Sequence, residues 1–368
     1  MKLVIDARFT RTDHHDGISR YGSSLIAATA RIADVTMLIS DPRQLALLPD
    51  VPYVMVNSPL SPRELFVAGR VNKLGADVVV CPMQTMGTWG RRYGLVLTLH
   101  DLIYYEHPQP PGFLPAPVRL LWRLYHKAYW PQRLLLNRAD IVATVSRTTE
   151  ALMAKYRLTK RPVRVVGNAP QPGQEPRDPA AGADKSLVYM GSFMPYKNVE
   201  TMIRGMAGLP GITLHLLSRI TPARRAELEA LIPSGAMVQF HNGVTDREYV
   251  RLLSRATALV SLSRAEGYGL PLVEAMSLGT PVIASDIPIF REIGGDAVSF
   301  VDPDSPEDFA AAVHRLADAD LGDSSEWAAS SRLSVARAAD FNWDASAKAL
   351  VSAAEEVVAA RQRRKRNS

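Results

Sequence analysis

The feature that most restricts how this chain can fold is a repeated alternation. Short runs rich in Val, Ile and Leu are each followed by a longer amphipathic stretch. KLVID leads to a helical stretch from about Ser19, and VTMLIS, DVVVC, LVLTLHD and DIVATVS follow, the last running into a helix from about Thr148. Runs this short and this continuously apolar suit strands buried on both faces, with helices returning the chain so that neighbours pair in parallel. The pattern pauses at NAPQPGQEPRDPAAGADKS, residues 168–186, whose Pro, Gly, Ala and charge read as a linker. It restarts with LVYMGS, ITLHLLS, MVQFHNG, ALVSLS, PVIASD and AVSFVD. The expectation is an α/β protein of two doubly wound, Rossmann-like domains: residues 1–168, a linker at 169–186, and residues 187–340. A final helix within 341–368 is expected to cross back to the first domain. From about Asp344 to Arg363 it places Ala347, Leu350, Val351, Ala354, Val357 and Val358 on one face.

A length of 368 residues, 47% hydrophobic, suits two domains of similar size. Cys81 is the single cysteine, which rules out an internal disulfide and a cysteine zinc site and fits a reducing compartment. Asp6 and Arg8 cut the amino-terminal apolar run short of a signal-peptide core, and no stretch reaches the roughly 18 apolar residues of a membrane span. The expected location is cytoplasmic, with any membrane contact peripheral, on the inner face of the plasma membrane.

Charge is distributed unevenly. Residues 1–168 carry 22 Lys+Arg against 12 Asp+Glu, a net +10, while the remainder carries 21 against 25, a net −4. A basic half points to an anionic partner, for which a membrane surface is one candidate; no recognition motif supports nucleic acid. The segment PVRLLWRLYHKAYWPQRLLLNRAD, residues 117–140, interleaves Arg119, Arg123, Lys127 and Arg133 with Trp122, Tyr125, Tyr129 and Trp130. Either this mixture meets lipid headgroups, or its aromatics enter the domain core and its charges are solvated. The terminal RQRRKR reads either as added headgroup attraction or as a frayed, solvated tail.

The chemistry concentrates in EGYGLPLVEAMSLGTPVIASD, residues 266–286, where two glutamates eight apart bracket a glycine-containing turn that opens a helix. Gly267 and Gly269 permit close backbone approach to a ligand, and the amides near Leu270, Pro271 and Leu272 point toward an anion such as a diphosphate. Glu274, one turn inside that helix, is placed to accept hydrogen bonds from ribose hydroxyls, and Glu266 to reach a sugar. The bland alternative is a pair of solvated helix-end carboxylates.

This segment resembles the signature of the family 4 retaining glycosyltransferases of the GT-B fold. GISRYGSSL at 17–25, LHDLIYYEHP at 99–108, ADIVATVSRTTEAL at 139–152, VYMGSFMPYKN at 188–198 and HNGVTDREYVRLLSRATALVSLS at 241–263 resemble the same family in the same order. The resemblance implies two domains facing across a cleft, with the acceptor on the first and the nucleotide-sugar donor on the second. It implies that Glu266 contacts the donor sugar, that Glu274 holds the ribose, and that Lys197 neutralises the diphosphate. It further implies that His100 approaches the transferred sugar and that Gly17 lies in a glycine loop facing the diphosphate. On the residues alone, His100 reads better as a core histidine capping a strand end. Many relatives carry an arginine near the phosphates where this chain has Ser192 and Tyr196; Arg264 and Arg20 are candidates to supply that charge. Neither metal nor cofactor is implied.

Retention without a pair of carboxylates about 5 Å apart points, through the resemblance, to front-face attack, with the donor phosphate accepting the acceptor's proton. The donor implied is a nucleotide diphosphate hexose, with a lean to GDP-mannose, and the acceptor a glycan or lipid-linked glycan of the cell envelope. A non-catalytic sensor or scaffold that binds the same sugar nucleotide is the alternative. A nicotinamide oxidoreductase would need G-x-G-x-x-G after the first strand, and KLVIDARF is followed by no such turn.

Overall fold

The computed structural model describes residues 1–110, 115–317 and 325–367. The chain forms two compact units, Met1–Asn168 together with Asn342–Ser368, and Ala169–Phe341.

The first unit holds a parallel seven-stranded sheet in the order β3-β2-β1-β4-β5-β6-β7. Its strands are β1 (Lys2–Asp6), β2 (Asp34–Ile39), β3 (Tyr53–Met55), β4 (Val78–Cys81), β5 (Gly94–Leu99), β6 (Ile141–Thr144) and β7 (Val163–Val165). Its helices up to this point are α1 (Gly17–Thr29), α2 (Val67–Asn72), α3 (Ile103–Glu106), α4 (Ala116–His126), α5 (Trp130–Leu136) and α6 (Arg147–Lys155). Strands β4, β5 and β6 are buried along their whole length, as their unbroken apolar runs require. The edge strands β3 and β7, three residues each, were not legible in the sequence, because so short a run shows no periodicity. Helix α1 begins at Gly17 because the Asp16 carboxylate accepts the Ser19 amide at 2.9 Å, and Ser146 caps α6 in the same way.

Asp6 and Arg8, which in the sequence merely interrupt an apolar run, form a fully buried ion pair at 2.7 Å. Arg8 also donates to Glu64 at 2.6 Å and to the Asn57 carbonyl at 3.0 Å, and Glu64 accepts the Gly87 amide at 3.0 Å. One guanidinium therefore joins the loops that leave β1, β3 and β4. Gly87 is required there, since a Cβ would lie 1.8 Å from the Glu64 carbonyl oxygen.

The second unit holds a parallel six-stranded sheet, order β10-β9-β8-β11-β12-β13. Its strands are β8 (Asp184–Tyr189), β9 (Thr213–Leu216), β10 (Met237–Phe240), β11 (Ala256–Ser261), β12 (Val282–Ser285) and β13 (Val298–Val301). Its helices are α7 (Val199–Gly205), α8 (Pro222–Glu229), α9 (Asp246–Leu253), α10 (Leu270–Ser277), α11 (Pro288–Gly294), α12 (Pro306–Ala317) and α13 (Glu326–Ala338). In register, Leu187 of β8 lies between Leu214 of β9 and Ala258 of β11. These strands share a core with Ile203, Phe309 and Trp327.

The stretch read as a linker is packed against this unit. The Arg177 guanidinium stacks on Trp327 at 4.5 Å and donates to the Ala256 carbonyl, its backbone amide reaches the Leu278 carbonyl at 3.0 Å, and β8 already begins at Asp184. The composition concealed a side chain that uses its charge to dock.

Helix α14 (Trp343–Arg366) returns to the first unit, packing on α1 and β5. It buries Ala347, Leu350, Ala354 and Val357 of the expected face, adds Trp343 and Ala353, and leaves Val351 and Val358 half-buried. RQRRKR forms its last turns, solvated from residue 362 onward, with Arg361 donating to the Arg92 carbonyl at 2.6 Å. Among the described residues no helix is long and apolar enough to cross a membrane.

Arg8→Ala should leave Asp6 buried without its partner and cost about 3–5 kcal/mol. Urea unfolding of the variant checks this, and an unchanged midpoint would show that the network carries no stability.

Candidate functional site

In an open parallel sheet, ligands bind beyond the carboxyl ends of the strands where the winding order reverses. In the second unit that reversal falls between β8 and β11. The loop leaving β8 carries Lys197, and the loop leaving β11 carries Glu266, Gly267 and Gly269.

Asn198 joins the two loops. It is buried, with a left-handed backbone at φ +55°, and its side-chain amide donates to the carbonyls of Leu262 at 3.1 Å and Pro303 at 2.6 Å. Its amide oxygen accepts the Thr201 hydroxyl at 2.8 Å, and the Arg264 amide donates to the Tyr196 carbonyl at 2.8 Å. Held in this way, Lys197 Nζ lies 2.5 Å from Glu266 Oε1, which also accepts the buried Ser263 hydroxyl at 2.8 Å. A largely desolvated ammonium and carboxylate in contact form a charge-assisted pair, stronger than a surface salt bridge.

Gly269 precedes α10 at φ +96°, and a Cβ there would meet Phe290 at 2.9 Å, so both backbone and packing demand glycine. The donors at this helix start are fewer than the sequence implied. Pro271 has no N–H and the Leu272 amide donates to the Gly269 carbonyl at 3.0 Å, so neither supplies a donor to a ligand at this helix start. On α10, Glu274 accepts the Tyr249 hydroxyl at 2.9 Å, which aims its carboxylate.

The first unit holds the other two expected residues. Gly17 sits at the first turn of α1, where an added Cβ would meet nothing within 4 Å. His100 follows β5, half-buried, with Nε2 2.7 Å from the Pro82 carbonyl and its ring edge-on to Tyr21 at 5.0 Å. A carbonyl can only accept, so Nε2 carries the proton and Nδ1 is left as the basic nitrogen. Burial lowers the His100 pKa from 6.5, more than the Pro82 carbonyl raises it, so the ring is neutral near pH 7. The core-capping contact of His100 is thus made by Nε2.

Lys197 and Glu266 are therefore brought into contact, and Gly269, Leu270 and Glu274 follow on the same loop and helix. Arg264 is ion-paired with Asp304, which engages the charge suggested as a substitute for a missing arginine. The roles of Asn198, Tyr249 and Ser263 were missed. Asn198 stands directly after the lysine in VYMGSFMPYKN, but an asparagine before a helix reads as an ordinary cap. Among the described residues no group of three or more His, Cys, Asp or Glu is placed to hold a metal ion. Of the aromatics in residues 117–140, Trp122 packs on Tyr104 and Tyr129 stacks between Tyr105 and Tyr156, whereas Trp130 is exposed.

Two family models divide the chain, one described as glycosyltransferase family 4 over residues 17–170 and one as glycosyl transferases group 1 over residues 174–330. The chain is 25% identical over 329 residues to the O-antigen chain mannosyltransferase RfbU of Salmonella typhimurium, covering 82% of this chain and 87% of that one. It is 28% identical over 223 residues to the GDP-mannose:cellobiosyl-diphosphopolyprenol alpha-mannosyltransferase of Xanthomonas campestris, covering 55% and 58%. Among solved structures, sucrose-phosphate synthase of Thermosynechococcus elongatus superposes with a TM-score of 0.73 at 22% identity, over 98% of this chain and 99% of that one. HepE of Anabaena in complex with UDP-glucose does so at 0.68 and 16%, over 97% and 100%. Fold and family models together define a glycosyltransferase of the GT-B class. Within that class the chain belongs to the group 1, family 4 glycosyltransferases.

Because the protein has room for a Cβ at Gly17, Gly17→Ala should leave thermal stability unchanged while raising the KM for donor; an unaltered KM would remove Gly17 from the donor site. His100 gives a second expectation. The unfolded chain takes up a proton at this ring near pH 6.5 that the folded ring resists, so stability falls as pH drops through 6.5. His100→Gln should flatten that slope in urea unfolding between about pH 7 and 5.5, and equal slopes would overturn the assignment.

Proposed function

We propose that the protein transfers mannose from GDP-mannose, with retention of configuration, to a glycan or glycolipid acceptor of cell-envelope polysaccharide biosynthesis. The observation that carries this reading is the contact between Lys197 and Glu266 beside the start of α10, where the sheet winding reverses. A diphosphate arriving there would replace Glu266 as the counter-ion of Lys197, freeing the glutamate to turn toward sugar hydroxyls. The Gly269 and Leu270 amides would face the phosphates, and Glu274, aimed by Tyr249, would hold the ribose. From the first unit, Gly17 would face the diphosphate and neutral His100 would contact the transferred sugar through Nδ1. The protein thus supplies fixed charge and hydrogen bonds to a departing diphosphate, whose own oxygen takes the acceptor proton, and the reaction calls on no cofactor or metal.

Support for mannose comes from the relatives, since RfbU and the Xanthomonas protein are both mannosyltransferases. The Anabaena structure carries UDP-glucose instead, so the base is a matter for experiment. The acceptor class fits action in the cytoplasm at an anionic membrane surface.

GDP, UDP, ADP and their sugar conjugates should be compared by thermal shift, with Glu274→Ala alongside. A ligand at 100 times its Kd stabilises by about 2.7 kcal/mol, so a GDP-mannose shift seen in wild type and lost in the variant is expected. A shift from UDP-sugars alone would overturn the donor. Binding without release of GDP, given lipid-linked glycan extracts, would favour the sensor reading, which the Ser192 and Tyr196 departures support.

A further inference from the structure

Glu266 meets two partners with one oxygen. Its Oε1 takes Lys197 Nζ at 2.5 Å and the Ser263 hydroxyl at 2.8 Å, so neither bond occupies Oε2. The two partners differ in how firmly they are held. Lys197 carries its charge at the end of a flexible four-carbon stem, free to follow a stronger anion. Ser263 is fully buried just beyond β11, and its backbone is pinned on every side. The Leu262 carbonyl before it accepts the Asn198 side chain at 3.1 Å, the Arg264 amide after it donates to the Tyr196 carbonyl at 2.8 Å, and its own carbonyl accepts the buried Ser285 hydroxyl from the end of β12. A carboxylate can only accept, so the single hydroxyl proton of Ser263 is given to Glu266. The Ser261 hydroxyl, 3.4 Å away, is too far to compete for it.

This asymmetry matters once a diphosphate takes Lys197. Glu266 then loses its cation and stands beside a second anion, whose repulsion acts to swing the carboxylate out of the site. We propose that Ser263 is a positioning residue for the transfer: its hydroxyl keeps Oε1 after Lys197 has turned to the diphosphate, so Glu266 pivots about that bond and presents Oε2 to hydroxyls of the transferred sugar. The serine itself touches no substrate. The proposal rests on the donor reading above and adds to it the residue that decides where Glu266 goes when its counter-ion leaves. A serine that merely satisfied a buried carboxylate would serve the free and the sugar-bearing nucleotide alike, and on that difference the two roles part.

Dissociation constants for GDP and GDP-mannose should be measured for wild type, Ser263→Ala and Ser263→Cys. GDP offers Glu266 no sugar, so its Kd should stay within about twofold, whereas the Kd for GDP-mannose should rise about tenfold in both variants, roughly the worth of one hydrogen bond to a charged group. Cysteine fills the space of serine but donates weakly, so GDP-mannose binding restored in Ser263→Cys would show that the hydroxyl is not used and would overturn the proposal. Unchanged binding of GDP-mannose, or equal weakening for both ligands, would overturn it as well. In the ligand-free protein, Ser263→Ala and Glu266→Gln should be compared singly and together by urea unfolding. The double variant should lose less stability than the two single ones summed, and strict additivity would mean that the side chains do not hold each other. That cycle needs no ligand, so it judges the contact even where wild type binds no GDP-mannose, the result that would sink the donor reading instead. If UDP-glucose binds in its place, the same comparison is made between UDP and UDP-glucose.

Discussion

The Asn198 side chain is the interaction on which the loops at the carboxyl ends of the second sheet depend. Residues on separate loops meet only if something fixes the loops to each other, and here one buried amide group does so, reaching the carbonyls of Leu262 and Pro303. The left-handed backbone at Asn198 costs about 1–2 kcal/mol for a residue with a Cβ, and asparagine is the non-glycine residue that tolerates it best. Its three hydrogen bonds offset that cost. Lys197 inherits its place next to Glu266 from this neighbour, and a change of lysine rotamer alone would not reproduce it.

The first unit solves the same problem with charge. Arg8 gathers the loops after β1, β3 and β4 around a fully buried guanidinium, whose donors are taken up by Asp6, Glu64 and the Asn57 carbonyl. A buried charge is tolerated only when its hydrogen bonds are nearly complete, and Gly87 completes the set by letting its amide approach Glu64. One unit thus orders its loops with an amide and the other with an ion cluster. Both devices sit at the carboxyl ends of strands, where backbone groups run out of ladder partners.

The central strands were legible because burial on both faces forces continuous apolar runs, as in VVVC of β4. The glycine turn that opens α10 was legible because a left-handed residue ahead of a helix start favours glycine. What sequence reading missed is long-range and polar. Nothing in Asp6 or Arg8 announces Glu64, more than fifty residues on, and Tyr249 gives no local sign of Glu274. Arg177 was hidden for a related reason, since its Pro- and Gly-rich surroundings describe backbone freedom and say nothing of a guanidinium finding Trp327. The inward turn of Trp122 and Tyr129 depended on Tyr104, Tyr105 and Tyr156, partners that spacing within one helix does not reveal.

The return of α14 to the first unit has a consequence for the order in which the protein matures on the ribosome. Gly94 at the head of β5 lies so near this helix that a Cβ would come within 2.3 Å of Val357. The central strands of the first sheet are therefore sealed on that side by residues translated after the entire second unit. Strands β8 to β13 and helix α13 are all encoded by residue 338, ahead of the helix that covers the first sheet. The first unit is thus the last to have all its residues synthesised, and Leu350, Ala354 and Val357 are the side chains that complete its core.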